Sequence, residues 1–173
     1  MSKITVKELE APTGFDLKIA AGETLDLKSQ GSVIMPTGSI LQVVSAASTG
    51  NLSTTSTSYV ASNLSATITP SSTSSKIYIN MTGYIQQAAQ QNHKYITIYR
   101  DSTDLGGSQG FGNWYSDTGG YTELFCGASH LDSPNTTSAV TYTIYVKNEV
   151  NSSSMGFGHT GRKHAITLME VQG

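Results

Sequence analysis

The sequence predicts an all-β protein, an antiparallel sandwich preceded by a short strand-rich arm, and three observations lead there. Only 13% of the residues are charged and 37% are apolar, so Ser, Thr, Gly and Asn carry most of the polarity; such side chains compete for the backbone and disfavour helix interiors. Apolar residues alternate at period two, and no stretch carries a convincing helical period. Turn chemistry recurs at the spacing of a sandwich. A chain of 173 residues holds one core with an appendage and is too short for two ordinary domains.

The first element is an arm over residues 1–38. Ile4 and Val6, then Phe15, Leu17 and Ile19, then Leu25 and Leu27 alternate with polar residues, and Gly14, Gly22 and Gly31 punctuate them. Each piece reads as a half-buried strand. Hairpin fragments of this size cannot enclose their apolar faces alone, so these seven residues are expected to attach the arm to a partner surface. The arm is also where charge collects: residues 1–28 hold 9 of the 22 charged side chains, and the next 47 residues, Ser29 to Ser75, hold none. A neutral, hydroxyl-rich tract has to be paired in sheet or covered by neighbours, which predicts self-association.

The second element is a domain over residues 39–173, with strands expected at Ser39–Ala47, Ser58–Pro70, Lys76–Ile85, Lys94–Arg100, Tyr121–Ser129, Ala139–Lys147 and His164–Val171, and a weaker one at Ser154–Gly158. Between them lie turn-forming runs such as Pro70-Ser-Ser-Thr-Ser-Ser75 and Ser133-Pro-Asn-Thr-Thr-Ser138. Residues Gln86–Gln91 form the one helix-friendly piece, too short to stand alone.

Several function classes are disfavoured. A net charge of −2 offers no basic stripe for phosphates, against a nucleic-acid partner. No apolar run reaches the length of a membrane span or a signal peptide. The single cysteine, Cys126, excludes an intrachain disulfide and a cysteine zinc cage; it reads as a buried strand residue. Gly156-Phe-Gly-His-Thr-Gly161 matches a phosphate-cradling pattern, but that pattern needs a preceding strand and a following helix and neither is expected here, so it reads as a turn. His159 and His164, five apart, fall on opposite faces of an extended strand, and no metal or cofactor is expected. Asp101, Asp104, Asp117, Glu123, Asp132, Glu149 and Glu170 read as solvated loop ends, and no enzymatic activity is expected.

Three passages resemble the small β-structured surface proteins of tailed bacteriophages, particularly those of marine and cyanobacterial phages: Gly38-Ser-Ile-Leu-Gln-Val-Val44, Ile68-Thr-Pro-Ser-Ser-Thr-Ser-Ser-Lys-Ile77, and Ile98-Tyr-Arg-Asp-Ser-Thr-Asp104 with Leu131-Asp-Ser-Pro-Asn-Thr-Thr-Ser-Ala-Val-Thr-Tyr142. The resemblance implies a jelly-roll-like homotrimer with an N-terminal attachment segment, made in the host cytoplasm and placed on the virion surface. The partner it implies is the major capsid protein or another virion protein, which the trimer decorates or cements. The alternative is a tail-fibre or head-fibre tip that contacts a host surface glycan. For that alternative the loop Gly106–Tyr121 matters, since 6 of its 16 residues are Gly and it carries Phe111, Trp114, Tyr115 and Tyr121. Exposed rings on a loop grip sugars or apolar surfaces; the competing reading is a plug that buries them.

Overall fold

The computed structural model describes residues 21–22, 35–87, 92–116 and 120–173, and the chain divides into two compact units, Met1–Ile34 and Met35–Gly173. The arm positions Ile4, Val6, Phe15, Leu17, Ile19, Leu25 and Leu27 lie outside the described residues. The Gly38 amide donates to the Gln172 carbonyl at 2.8 Å and the Gln172 amide to the Ser39 carbonyl at 2.8 Å. Residues 35–38 therefore belong with the second unit, and the boundary expected at residue 38 falls inside it.

Among its described residues the regular elements of that unit are all strands: β1 (Ile40–Ser48), β2 (Asn51–Thr54), β3 (Val60–Ile68), β4 (Lys76–Gln87), β5 (Asn92–Arg100), β6 (Thr103–Asp104), β7 (Gly112–Ser116), β8 (Thr122–Asp132), β9 (Val140–Asn148), β10 (Met155–Gly158) and β11 (His164–Val171). The first sheet runs β1-β11-β4-β10-β2 with β8 on the other side of β4; the second runs β3-β9-β5-β6 with β7 also on β5. Without the short β2, β6 and β10, the sheets read β1-β11-β4-β8 and β3-β9-β5-β7, the order of a jelly roll. Every pairing is antiparallel.

The period-two pattern decides which side chains meet between the sheets. Ile77, Ile79, Met81 and Ile85 of β4 and Ile166 and Leu168 of β11 face Leu64 and Ile68 of β3, Ile96 and Ile98 of β5, and Tyr142, Ile144 and Val146 of β9, all buried. Each such side chain contributes about 1.5–3 kcal/mol on leaving water. Phe157 of β10 closes the core against the backbone of Gly83, where a Cβ would come within 2.8 Å of its ring.

Three strands were not expected. Asn51–Thr54 and Thr103–Asp104 are short and wholly polar but for Leu52, and Gly112–Ser116 hides in the glycine-rich loop. Gln86 and Gln87, read as helix-friendly, are instead the last residues of β4, opposite Glu123 and Thr122; residues 88–91 lie outside the described residues.

The carboxylates correct the loop-end reading more sharply, because two of them are buried rivets. Asp132 ends β8 and takes two hydrogen bonds from Arg100 Nη1, at 2.9 and 2.8 Å, and one from the Tyr142 hydroxyl at 2.7 Å. Burial and this acceptor push the Tyr142 hydroxyl well above its usual range. Glu170 of β11 is fully buried and accepts the Ser71 amide at 2.7 Å, the Ser71 hydroxyl at 2.6 Å and the Gln42 amide at 2.6 Å. Burial alone would raise this carboxyl, but the hydrogen bonds outweigh it and hold it below its ordinary value. Lys94 of β5 shares parity with Ile96 and Ile98 and is 0% exposed. Its ammonium donates to the side-chain carbonyl of Asn92, to that of Asn148 at 2.6 Å and to the Ser153 hydroxyl at 2.7 Å. Burial lowers it from 10.5 to about 8, with Glu149 opposing the shift.

Candidate functional site

The two outer faces of the sandwich differ in chemistry. On the first sheet, register places cross-strand neighbours in rows: Val43, Met169, Tyr78 and Leu131; then Ser45, Thr167, Asn80 and Ser129; then Ala47, Ala165, Thr82 and Gly127. Tyr84 and Phe125 follow, their rings 5.5 Å apart. None of these residues is charged. Lys76 stands at one end of the face, and the ion pair of Arg162 with Glu123 at the other. Val43 is 56% exposed, Leu131 48% and Phe125 59%, values that a polar replacement would serve better in water. Five residues of β8 across four strands, and two more across β4 and β8, at about 3.4 Å per residue and about 4.8 Å per strand give roughly 400 Å² of projected face. That is a sizeable uncharged face with one apolar row.

The outer face of the second sheet is aromatic and polar. Tyr99 stacks on Tyr145 with ring centres 4.0 Å apart, Tyr59 meets Tyr99 edge-on at 6.1 Å, and the Lys147 ammonium lies 4.4 Å from the Tyr59 ring and 5.1 Å from that of Tyr95. Burial, then Asp104, pushes the Tyr59 hydroxyl up to about 12. Beside this cluster opens a depression of about 300 Å³ lined by Thr57, Tyr95, Ser108, Gln109, Lys147 and Glu149. One wall is the turn 105–111, tied down along its length. The Leu105 amide donates to the Ile98 carbonyl, Gly106 to Asp104 Oδ1, Gly110 to the Gly107 carbonyl and Phe111 to the Ile96 carbonyl, at 2.9–3.0 Å, and Lys147 Nζ donates to the Ser108 carbonyl at 2.6 Å. Gly110 has φ +68 and passes so close to β5 that a Cβ would stand 2.2 Å from the Ile96 carbonyl oxygen. Only glycine permits both the left-handed backbone and that approach.

The four aromatics singled out in the sequence do not converge. Phe111 packs against the core, its ring 5.1 Å from that of His130. Trp114 is half-buried and lines a slot of about 190 Å³ between β7 and β8 with Ile85, Ile96, Leu124 and Cys126. Tyr115 is exposed, 4.9 Å from the His93 ring, and Tyr121 is exposed just before β8. Since Trp114 and Tyr115 are successive residues of one strand, they point to opposite faces. The sequence reading missed Tyr95, Gln109, Lys147 and Glu149; the parity of Lys147 with Tyr145 on β9 was the available signal.

The other constellations are structural. Cys126 is partly buried on β8, and burial raises its thiol from 9.0 to about 11, far from a reactive state. His164 is buried, held low by burial, with Nε2 3.2 Å from Asn63 Oδ1. His159 bridges to Arg162 in the turn after β10, so the glycine pattern is a strand and a turn. Among the described residues no group of His, Cys, Asp or Glu is placed to hold a metal ion, and no helix is long and apolar enough to cross a membrane.

No protein-family model matches this sequence, and no curated protein is found to be similar to it.

Proposed function

We propose that this chain is a non-enzymatic structural protein of a bacteriophage virion, a homotrimer that decorates or cements the capsid through its N-terminal segment. The observation that carries the reading is the neutral outer face of the first sheet, with its apolar row Val43, Met169, Tyr78 and Leu131. Sister subunits can cover such a face without desolvating ions, a penalty of several kcal/mol per ion. A threefold interface is heterologous, so the face meets a different patch of the next copy. The phage assignment rests on the resemblance of the passages 38–44, 68–77, 98–104 and 131–142 to virion surface proteins, and the attachment role on the apolar alternation of residues 4–27.

Sedimentation tests the association. The intact chain is expected to run as a trimer, and Leu131→Glu, which places a charge at the exposed β8 end of the apolar row, to run as a folded monomer. A wild-type monomer at high concentration would refute the reading. Removing residues 1–36 should leave a trimer that no longer decorates particles. Copy number per particle near the count of threefold positions favours cement, and a handful of trimers favours a fibre.

A second reading, a fibre tip that contacts host glycan, is favoured by one observation: the walled polar depression beside the tyrosines of the second sheet.

A further inference from the structure

We infer that the depression between Tyr95, Gln109, Lys147 and Glu149 is a binding site for one pyranose unit of a bacterial surface polysaccharide. The inference deepens the second reading above and rests on it for the source of the sugar.

Shape comes first. About 300 Å³ is at the small end of ligand sites, which suits a monosaccharide unit. The site opens on the outer face of the second sheet, the opposite side of the sandwich from the neutral face.

Lining chemistry comes second. A pyranose presents a ring of hydroxyls, each both donor and acceptor, and an apolar C–H face. Tyr95 contributes a half-buried aromatic ring to the lining, with the Lys147 ammonium 5.1 Å from its centre. Lys147 has three N–H donors and commits one to the Ser108 carbonyl. Glu149 uses Oε2 to accept the His93 amide at 2.9 Å, and a carboxylate has further acceptor capacity. Gln109 and Thr57 add an amide and a hydroxyl at the rim. The lining thus combines donors, acceptors and one aromatic ring, the groups that the hydroxyls and C–H face of a pyranose can use. With a cation and an anion both in the lining, a neutral sugar fits better than a strongly acidic or basic one.

Preorganisation comes third. Five hydrogen bonds and the Gly110 approach fix the turn that carries Ser108 and Gln109 before any ligand arrives. Such a wall spares the ordering cost that weakens binding by loose loops.

The experiment uses the intact chain on an array of bacterial surface polysaccharides and oligosaccharides, followed by titration of the corresponding methyl pyranoside. Neutral pyranosides are expected to bind with a dissociation constant on the order of millimolar for the single unit, strengthened on the array by multivalency. Gln109→Ala, on an exposed turn and without effect on the fold, is expected to weaken binding about fivefold to tenfold, within the range of one hydrogen bond. Lys147→Met is expected to weaken it further. No bound pyranoside with the intact chain, or binding that neither substitution changes, overturns the site. Adsorption of the labelled chain to the same bacteria separates the two levels: adsorption without sugar binding refutes the ligand class and leaves the tip reading standing, and failure of both removes both.

Discussion

Lys94→Met gives the sharpest test of how this core tolerates a buried cation. In the folded protein the ammonium is held down to about 8 by burial, against 10.5 for an ordinary lysine, with Glu149 pulling the other way. Between those values the unfolded chain binds more protons than the folded one, so stability rises with pH, by at most about 1.4 kcal/mol per pH unit. Below pH 8 both states are protonated, and the full penalty of roughly 3 kcal/mol is present. Other groups oppose the gain at higher pH. Cys126, raised by burial from 9.0 to about 11, removes stability from pH 9 upward at a similar slope. Tyr59, Tyr99 and Tyr142, all raised by burial, do so above pH 10. Wild type is therefore expected to gain roughly 1 kcal/mol between pH 8 and 9, level off to pH 10 and then weaken. Lys94→Met should show no gain and begin to fall at pH 9. Urea unfolding at fixed protein concentration and at pH 7, 8, 9 and 10 measures both curves. The wild-type curve minus the mutant curve must climb by about 2.5 kcal/mol from pH 7 to 10; parallel curves would refute the reasoning, because Lys94 would then be ordinarily solvated.

Asp132→Ala leaves Arg100 unpaired and the Tyr142 hydroxyl without its acceptor, and is expected to cost about 3–5 kcal/mol, read as a lower urea midpoint; Asp132→Asn, which keeps an acceptor, should cost less. Gly110→Ala forces a Cβ onto the Ile96 carbonyl at positive φ, so protease cleavage at residues 106–111 should become rapid while the core strands stay protected from hydrogen exchange. Glu170 is depressed in the fold, so its contribution is present above the ordinary carboxylate range and lost as pH falls through its lowered value; Glu170→Gln should flatten the acid limb of the stability curve.

Long strands were legible wherever one face is buried. For β11 the sequence reading and the structure share the bounds His164–Val171, because Ile166 and Leu168 alternate with polar or small neighbours and no competing pattern exists. Lys94 was legible in principle, since its parity with Ile96 and Ile98 points it inward, but a charge at that position invites a solvent reading. Asp132 and Glu170 were misjudged for a related reason: their partners Arg100, Ser71 and Gln42 lie 32, 99 and 128 residues away, beyond any local pattern. The strand β7 was hidden by Gly112 and by its neighbours in a glycine-rich run. The depression was the least legible feature, because its walls come from the segments around residues 57, 95, 108 and 148 and exist only once β5 and β9 have paired and the flanking loops have folded beside them.

The neutral face of the first sheet has an environmental consequence. Raising ionic strength from 0.1 to 1 M shortens the screening length from about 10 to about 3 Å, which loosens assemblies held by paired charges. A contact made of methyls, rings and hydroxyls offers salt nothing to screen. Subunits joined there would hold as firmly in brine as in fresh water.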